Sequence, residues 1–103
     1  ATAGGFELND PSSDLAIAIS IVSSLNNQIP LRNCAFIGEL GLNGQVRETS
    51  SIKSKIDESI RLGFEQIIIP HTKSCGLINV HNINVITVKN IQEAITISLK
   101  FNN

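Results

Sequence analysis

The segment from Ser51 to Pro70 constrains the fold more than any other. In "SIKSKIDESIRLGFEQIIIP" isoleucines recur every four residues, at Ile52, Ile56 and Ile60, with Leu62 beside them and Gly63 placed to cap. That spacing predicts an amphipathic helix over Ser51 to Leu62. The run "FEQIIIP" that follows is short, apolar and ended by proline, the pattern of a strand covered on both faces and so set in the middle of a sheet. Such a strand needs a packed layer on each side of it, and that requirement points to layered α/β architecture.

The rest of the chain supplies those layers. Proline and aspartate in "NDPSSDLAIAIS" mark a helix start: Pro11 suits a first turn, and Asp10 or Ser12 can accept from its exposed N–H groups. From Leu15 to Leu25 apolar residues occupy nearly every face, which predicts a helix buried on more than one side. "CAFIGEL" reads as a strand, and Asn43-Gly44 turns it back into a brief return strand around Gln45 to Arg47, both turn residues tolerating positive φ. "INVITV" is a further β-branched strand, and "NIQEAITISLKF" a closing helix with Ile91, Ala94, Ile95 and Leu99 on one side. The expectation is one domain with a mixed sheet, one antiparallel hairpin and helices on one or both faces.

Composition excludes several classes. With 42% hydrophobic and 17% charged residues over 103 positions the chain is of globular type, and a net charge of -1 gives no broad footprint for nucleic acid or a membrane surface. Its longest apolar stretch, Leu15 to Val22, falls far short of the ~20 residues a bilayer needs, so no membrane partner is expected. Methionine is absent even at position 1, which reads as a processed chain or an excised segment. Cys34 and Cys75 are too few for a four-ligand zinc site, and His71, Cys75 and His81 read as ordinary loop residues.

The chemistry worth testing lies in the serines. Ser12 could be an N-cap, or it could be a nucleophile if a base takes its proton. Lys53 is the candidate base: it sits in the first turn of the Ser51 helix just after an isoleucine, where desolvation and the helix dipole disfavour its charge. On the bland alternative Lys53 is a solvated surface residue. Arg47, Lys55 and Arg61 belong to the pool available for any basic patch, diluted by Asp57, Glu58 and Glu65, so that contact with nucleic-acid phosphates is permitted but not demanded.

"AGGFELNDPSSDLAIAISIVSSL", "FIGELGLNGQVR", "SIRLGFEQIIIP" and "INVITVKNIQEAI" together resemble the C-terminal Lon-protease-like domain of the bacterial and plastid RadA (Sms) DNA repair family. "GELGLNGQVR" followed by "RLGF" is the most specific part. The resemblance implies a ribosomal protein S5 domain 2-like (Lon proteolytic domain-like) fold over residues 1–103, truncated before Ala3, with the family's zinc-binding and ATPase regions outside this chain. It implies a structural platform and auxiliary DNA-binding surface, without peptidase activity, in a hexameric ring that drives branch migration of recombination intermediates. ATP, Mg and Zn would be bound by those other regions and no cofactor by this one. The implied compartment is a bacterial cytoplasm or the plastid stroma.

The same likeness extends to Lon peptidases at two positions. Aligning "DPSSD" with the Lon segment "GPSAG" places Ser12 on the nucleophile, and aligning "SIKSKI" with "GLKEKL" places Lys53 on the catalytic lysine. A Ser12-Lys53 dyad of Lon type is therefore the competing function. Asp14, where Lon has glycine, is expected to favour the protonated lysine and to crowd an oxyanion site. A protein-interaction fold with no DNA role is the third possibility.

Overall fold

The computed structural model describes residues 2–3, 6–7, 10–72 and 83–99. Its elements run β1 (Thr2–Ala3), β2 (Phe6–Glu7), a 3-10 turn (Pro11–Ser13), α1 (Asp14–Leu25), β3 (Cys34–Phe36), β4 (Glu39–Leu40), β5 (Val46–Arg47), α2 (Ile52–Arg61), β6 (Gln66–Pro70), β7 (Asn84–Val88) and α3 (Ile91–Ser98). Cys75 and His81 lie outside the described residues.

The frame is a parallel sheet in the order β3-β6-β7, with Ala35 opposite Ile67 and Ile67 opposite Val85. The apolar run is the central strand, as its composition demands. Ile67, Ile68 and Ile69 are each fully buried, and the pleat divides them between two cores. Ile68 joins Leu15 and Ile19 of α1, Cys34, Val46, Val88 and Ala94 of α3, whereas Ile67 and Ile69 join Ala35, Ile37 and the α2 residues Ile52 and Ile56. Helices α1 and α3 thus cover one face and α2 the other.

Three sequence expectations change in the structure. "CAFIGEL" is not one strand: it breaks at Ile37-Gly38 into β3 and β4, and among the described residues β4 pairs with β5 alone, as a separate antiparallel ladder. Within that hairpin only Gly44 adopts positive φ (83°), its N–H closing on Gly41 O at 3.0 Å, so Asn43 needs no special conformation. Second, α1 buries one stripe, Leu15, Ile19 and Ser23, and leaves Ile21 and Leu25 exposed. Third, α2 buries Ile52, Ile56 and Ser59, with Ile60 turned toward solvent. At 3.6 residues per turn a four-residue spacing drifts by about 40° per step, so a stripe begun at Ile52 reaches residue 59 rather than 60.

Both long helices end in the same way. After α1, Gln28 N–H reaches Ser23 O (2.9 Å) with Asn27 at φ 52°; after α2, Phe64 N–H reaches Ser59 O (3.2 Å) with Gly63 at φ 87°. These are Schellman closures, and the second confirms the cap role read for Gly63.

Candidate functional site

The residues around Ser12 are assembled by the turn that starts α1. Asp10 is extended, and its Oδ1 accepts from both the Ser12 N–H (3.0 Å) and the Ser12 hydroxyl (2.8 Å). Asp10, not Ser12, is therefore the capping side chain. Pro11 follows, and Ser13 N–H donates to Asp10 O at 2.9 Å. Ser12 and Ser13 end up buried, at 3% and 6% exposure.

This turn is clamped onto the gap between β3 and β4. Gly38 N–H donates to Ser12 O (2.9 Å), and Leu15 N–H donates to Gly38 O (3.0 Å). Asp14 Oδ2 accepts from Leu40 N–H at 3.1 Å. The Asp14 carboxylate, read from sequence as a neighbour of the lysine, is thus engaged in holding β4. Gly38 is required by space: a Cβ there would lie 2.6 Å from Val46 Cγ1.

A lysine does reach the Ser12 turn, and it is Lys55. Its ammonium lies 3.4 Å from Asp10 Oδ2, with side-chain exposures of 16% for Lys55 and 20% for Asp10. Lys53 is exposed, because side chains two apart on a helix point to different sides. One carboxylate therefore holds the Ser12 hydroxyl on one oxygen and the Lys55 ammonium on the other. The Ser12 N–H, then the Ser12 hydroxyl and the Lys55 charge, hold the Asp10 carboxyl below its ordinary 3.8, against the opposing effect of partial burial.

Chemically the cluster is an anion with its donors in place. The Ser12 hydroxyl points its hydrogen at a stabilised carboxylate, a weak base. The N–H groups of Ser12, Ser13, Asp14 and Leu15 are taken by Asp10 Oδ1, Asp10 O, Pro11 O and Gly38 O respectively. Helix periodicity could have singled out Lys55: it lies three residues after Ile52 and four before Ser59, both buried, on the flank of the packed stripe.

The residues read as a DNA-contacting pool are dispersed. Arg47 pairs with Glu39 at 3.1 Å on the β4-β5 ladder, both side chains substantially solvated; Lys55 is committed to Asp10; Arg61 is exposed at the end of α2. His71 follows β6, with Nδ1 3.0 Å from Thr87 Oγ1 of β7. Among the described residues no group of three or more His, Cys, Asp or Glu is arranged to hold a metal ion, and no helix is long and apolar enough to cross a membrane. Cys34 is a buried free thiol, raised to about 12 from 9.0 by desolvation.

The fold and this clamped turn define an α/β domain in which a helix start is seated on a split strand beside a parallel sheet. The chain belongs to the family described as subunit ChlI of Mg-chelatase, whose model matches residues 4–73. It is also similar to proteins named DNA repair protein RadA. That of Bacillus subtilis (strain 168) is 44% identical over 97 residues, covering 94% of this chain and 21% of the relative. That of Halalkalibacterium halodurans is 41% identical over the same shares, and that of Streptococcus pneumoniae 38% over 91% of this chain and 22% of the relative. The chain thus spans about a fifth of the length of these curated relatives.

Proposed function

We propose that this chain is a Lon-protease-like, non-catalytic structural and DNA-contacting domain of a RadA-type ATPase that processes branched recombination intermediates in DNA repair. The observation that carries the reading is the extent of the RadA likeness. A match of 97 residues must continue past residue 73, where the ChlI family match ends, toward β7 and α3. On this reading ATP, Mg, Zn and the contacts of a hexameric ring belong mainly to regions of a longer protein, working in a bacterial cytoplasm, since the relatives named above are bacterial.

The geometry supports the non-catalytic half of the proposal. A serine nucleophile needs a base that can accept its proton near neutral pH and donors for the oxyanion that forms. Ser12 instead donates to a carboxylate of lowered proton affinity, and the N–H groups of its turn are already bonded. Lys53 faces solvent. The DNA-contacting half falls to Arg61 and Arg47, because a solvated ion pair such as Arg47-Glu39 is worth little and a phosphate can displace it, whereas Lys55 is the more buried partner of its pair.

Fluorescence anisotropy of a labelled branched DNA with the 103-residue chain tests this. Binding is expected at about 50 mM salt and should weaken as salt rises, with Arg61→Ala and Arg47→Ala each lowering the log-log salt slope by about 0.9. A fluorogenic peptide should stay intact in the same preparation. Absence of DNA binding at low salt, or peptide cleavage abolished by Ser12→Ala, overturns the proposal.

A further inference from the structure

The tip of the β4-β5 hairpin carries a reactive pair. Asn43-Gly44 is the one place in the chain where asparagine precedes glycine. Asparagine is thermolabile because the deprotonated amide nitrogen of the next residue can attack its Cγ, and a glycine leaves that nitrogen unshielded. Asn43 is exposed, and its carboxamide bonds to none of the described residues. Asn26 and Asn90, by contrast, hold theirs at helix ends: Asn26 Nδ2 donates to Val22 O, and Asn90 Oδ1 accepts from Glu93 N–H.

The same tip restrains the reaction. The nucleophile's own N–H, that of Gly44, donates to Gly41 O at 3.0 Å, and Asn43 N–H donates to Gln45 Oε1 at 3.1 Å. Gly41 makes room for that side chain, since a Cβ there would overlap the Gln45 carboxamide. When the ring closes, Gly44 N bonds to Asn43 Cγ, the Cγ–Nδ2 bond breaks and ammonia leaves. The imide nitrogen then carries no hydrogen, so the imide and the Gly44-Gly41 hydrogen bond exclude each other, and the turn must open first. Water reopens the ring in one of two ways. Attack at Cγ leaves aspartate; attack at the main-chain carbonyl leaves isoaspartate, whose backbone is one carbon longer. Gly44 O accepts from Ile91 N–H at 2.8 Å, and Gln45 bridges Asn90 antiparallel, so this tip also seats the first residue of α3. A backbone lengthened just before Gly44 displaces that seat, whereas aspartate keeps it.

We propose that Asn43-Gly44 is a deamidation site gated by the hairpin turn, with Gln45 as its latch, and that the isoaspartyl product releases the start of α3. This goes beyond the repair function and does not rest on it. The full chain is aged in mildly alkaline buffer, digested and mapped by mass spectrometry, with aspartyl and isoaspartyl peptides separated by retention. Asn43 should react ahead of every other asparagine, and at least about tenfold faster when urea holds the turn open. Gln45→Ala should react about fivefold faster than the wild type in the folded state, the effect of losing one hydrogen bond. Asn43→Gln should stay unmodified at this position, because its longer side chain closes a larger, slower ring. Hydrogen exchange at the Ile91 amide should be at least about tenfold faster in the isoaspartyl fraction of the aged chain and unaltered in Asn43→Asp. Far-UV circular dichroism melts confirm that each variant folds. Equal rates in the folded and unfolded chain, a Gln45→Ala rate equal to that of the wild type, another asparagine reacting first, or an isoaspartyl chain whose Ile91 amide stays protected each overturns the proposal.

Discussion

Replacing Gly38 by alanine tests whether the seat of the Ser12 turn is built as described. The added Cβ would meet Val46 Cγ1 at 2.6 Å, Pro70 Cγ at 3.5 Å and Arg47 O at 3.8 Å. Only the first contact is a clash, and it is hard to relieve. Valine is stiff about χ1, and Val46 is held by its N–H to Lys89 O at 2.9 Å and by its ladder with Leu40. Gly38 cannot retreat either, because its N–H and C=O are both bonded to the turn, at Ser12 O and from Leu15 N–H. Overpacking of this kind costs about 1–3 kcal/mol, or about 4–8 °C in Tm per kcal/mol for a domain of this size. The chain has no tryptophan or tyrosine, so urea unfolding is followed by far-UV circular dichroism. Val46→Ala alone should cost about 1–2.5 kcal/mol, since Val46 is 5% exposed in the core. In the double variant the clash is gone, and the combined cost should fall short of the sum by at least about 1 kcal/mol. Strict additivity, or a Gly38→Ala effect under about 0.5 kcal/mol, would refute the claim that Gly38 is fixed on both sides.

Two further outcomes follow from the titrating groups. The Asp10 carboxyl is held below its ordinary 3.8, so the folded state binds fewer protons than the unfolded one across that window. The stability Asp10 contributes is complete above about pH 4 and is lost as pH falls through the lower, folded-state value. Asp10→Asn should therefore flatten part of the acid limb of a urea-midpoint against pH curve; an unchanged limb contradicts the cluster. Cys34 has the opposite sense, rising from 9.0 to about 12 in the folded state. Its contribution is complete below pH 9 and declines at up to about 1.4 kcal/mol per pH unit above it. In a Cys75→Ser background the native chain should resist a thiol-alkylating reagent until urea unfolds it, and rapid labelling at neutral pH would show that Cys34 is not buried as found.

What could be read from the residues divides along a physical line. The central strand was evident because "QIIIP" must be covered twice, and the sheet places Ile67 to Ile69 at full burial between two helical layers. Helices α2 and α3 are legible from periodicity, and α1 from the start signal at Asp10-Pro11 and the apolar run that follows it. Local pattern does not encode how far a face extends. Apolar residues all round α1 predict burial all round, yet burial depends on how many elements pack against it, and Ile21 and Leu25 remain uncovered. The break at Ile37-Gly38 was invisible for the same reason. Nothing in "CAFIGEL" says that a turn from 26 residues earlier will occupy Gly38's hydrogen-bonding groups.

The site shows how a motif can align while its chemistry moves. Ser12 lies in the turn that starts α1, but the lysine drawn toward it is Lys55, two residues beyond Lys53, on the flank of α2 that packs rather than the flank that faces water. The deciding element is Asp10. Its carboxylate caps the turn through the Ser12 N–H, accepts the Ser12 hydroxyl and balances the Lys55 charge. Each of those bonds lowers its proton affinity, so the interactions that fix the turn also make Asp10 a weaker base toward the Ser12 hydroxyl. A carboxylate so placed joins α1 to α2, while Gly38 and Asp14 join α1 to β4. The polar groups of the turn are thus engaged in holding three elements together.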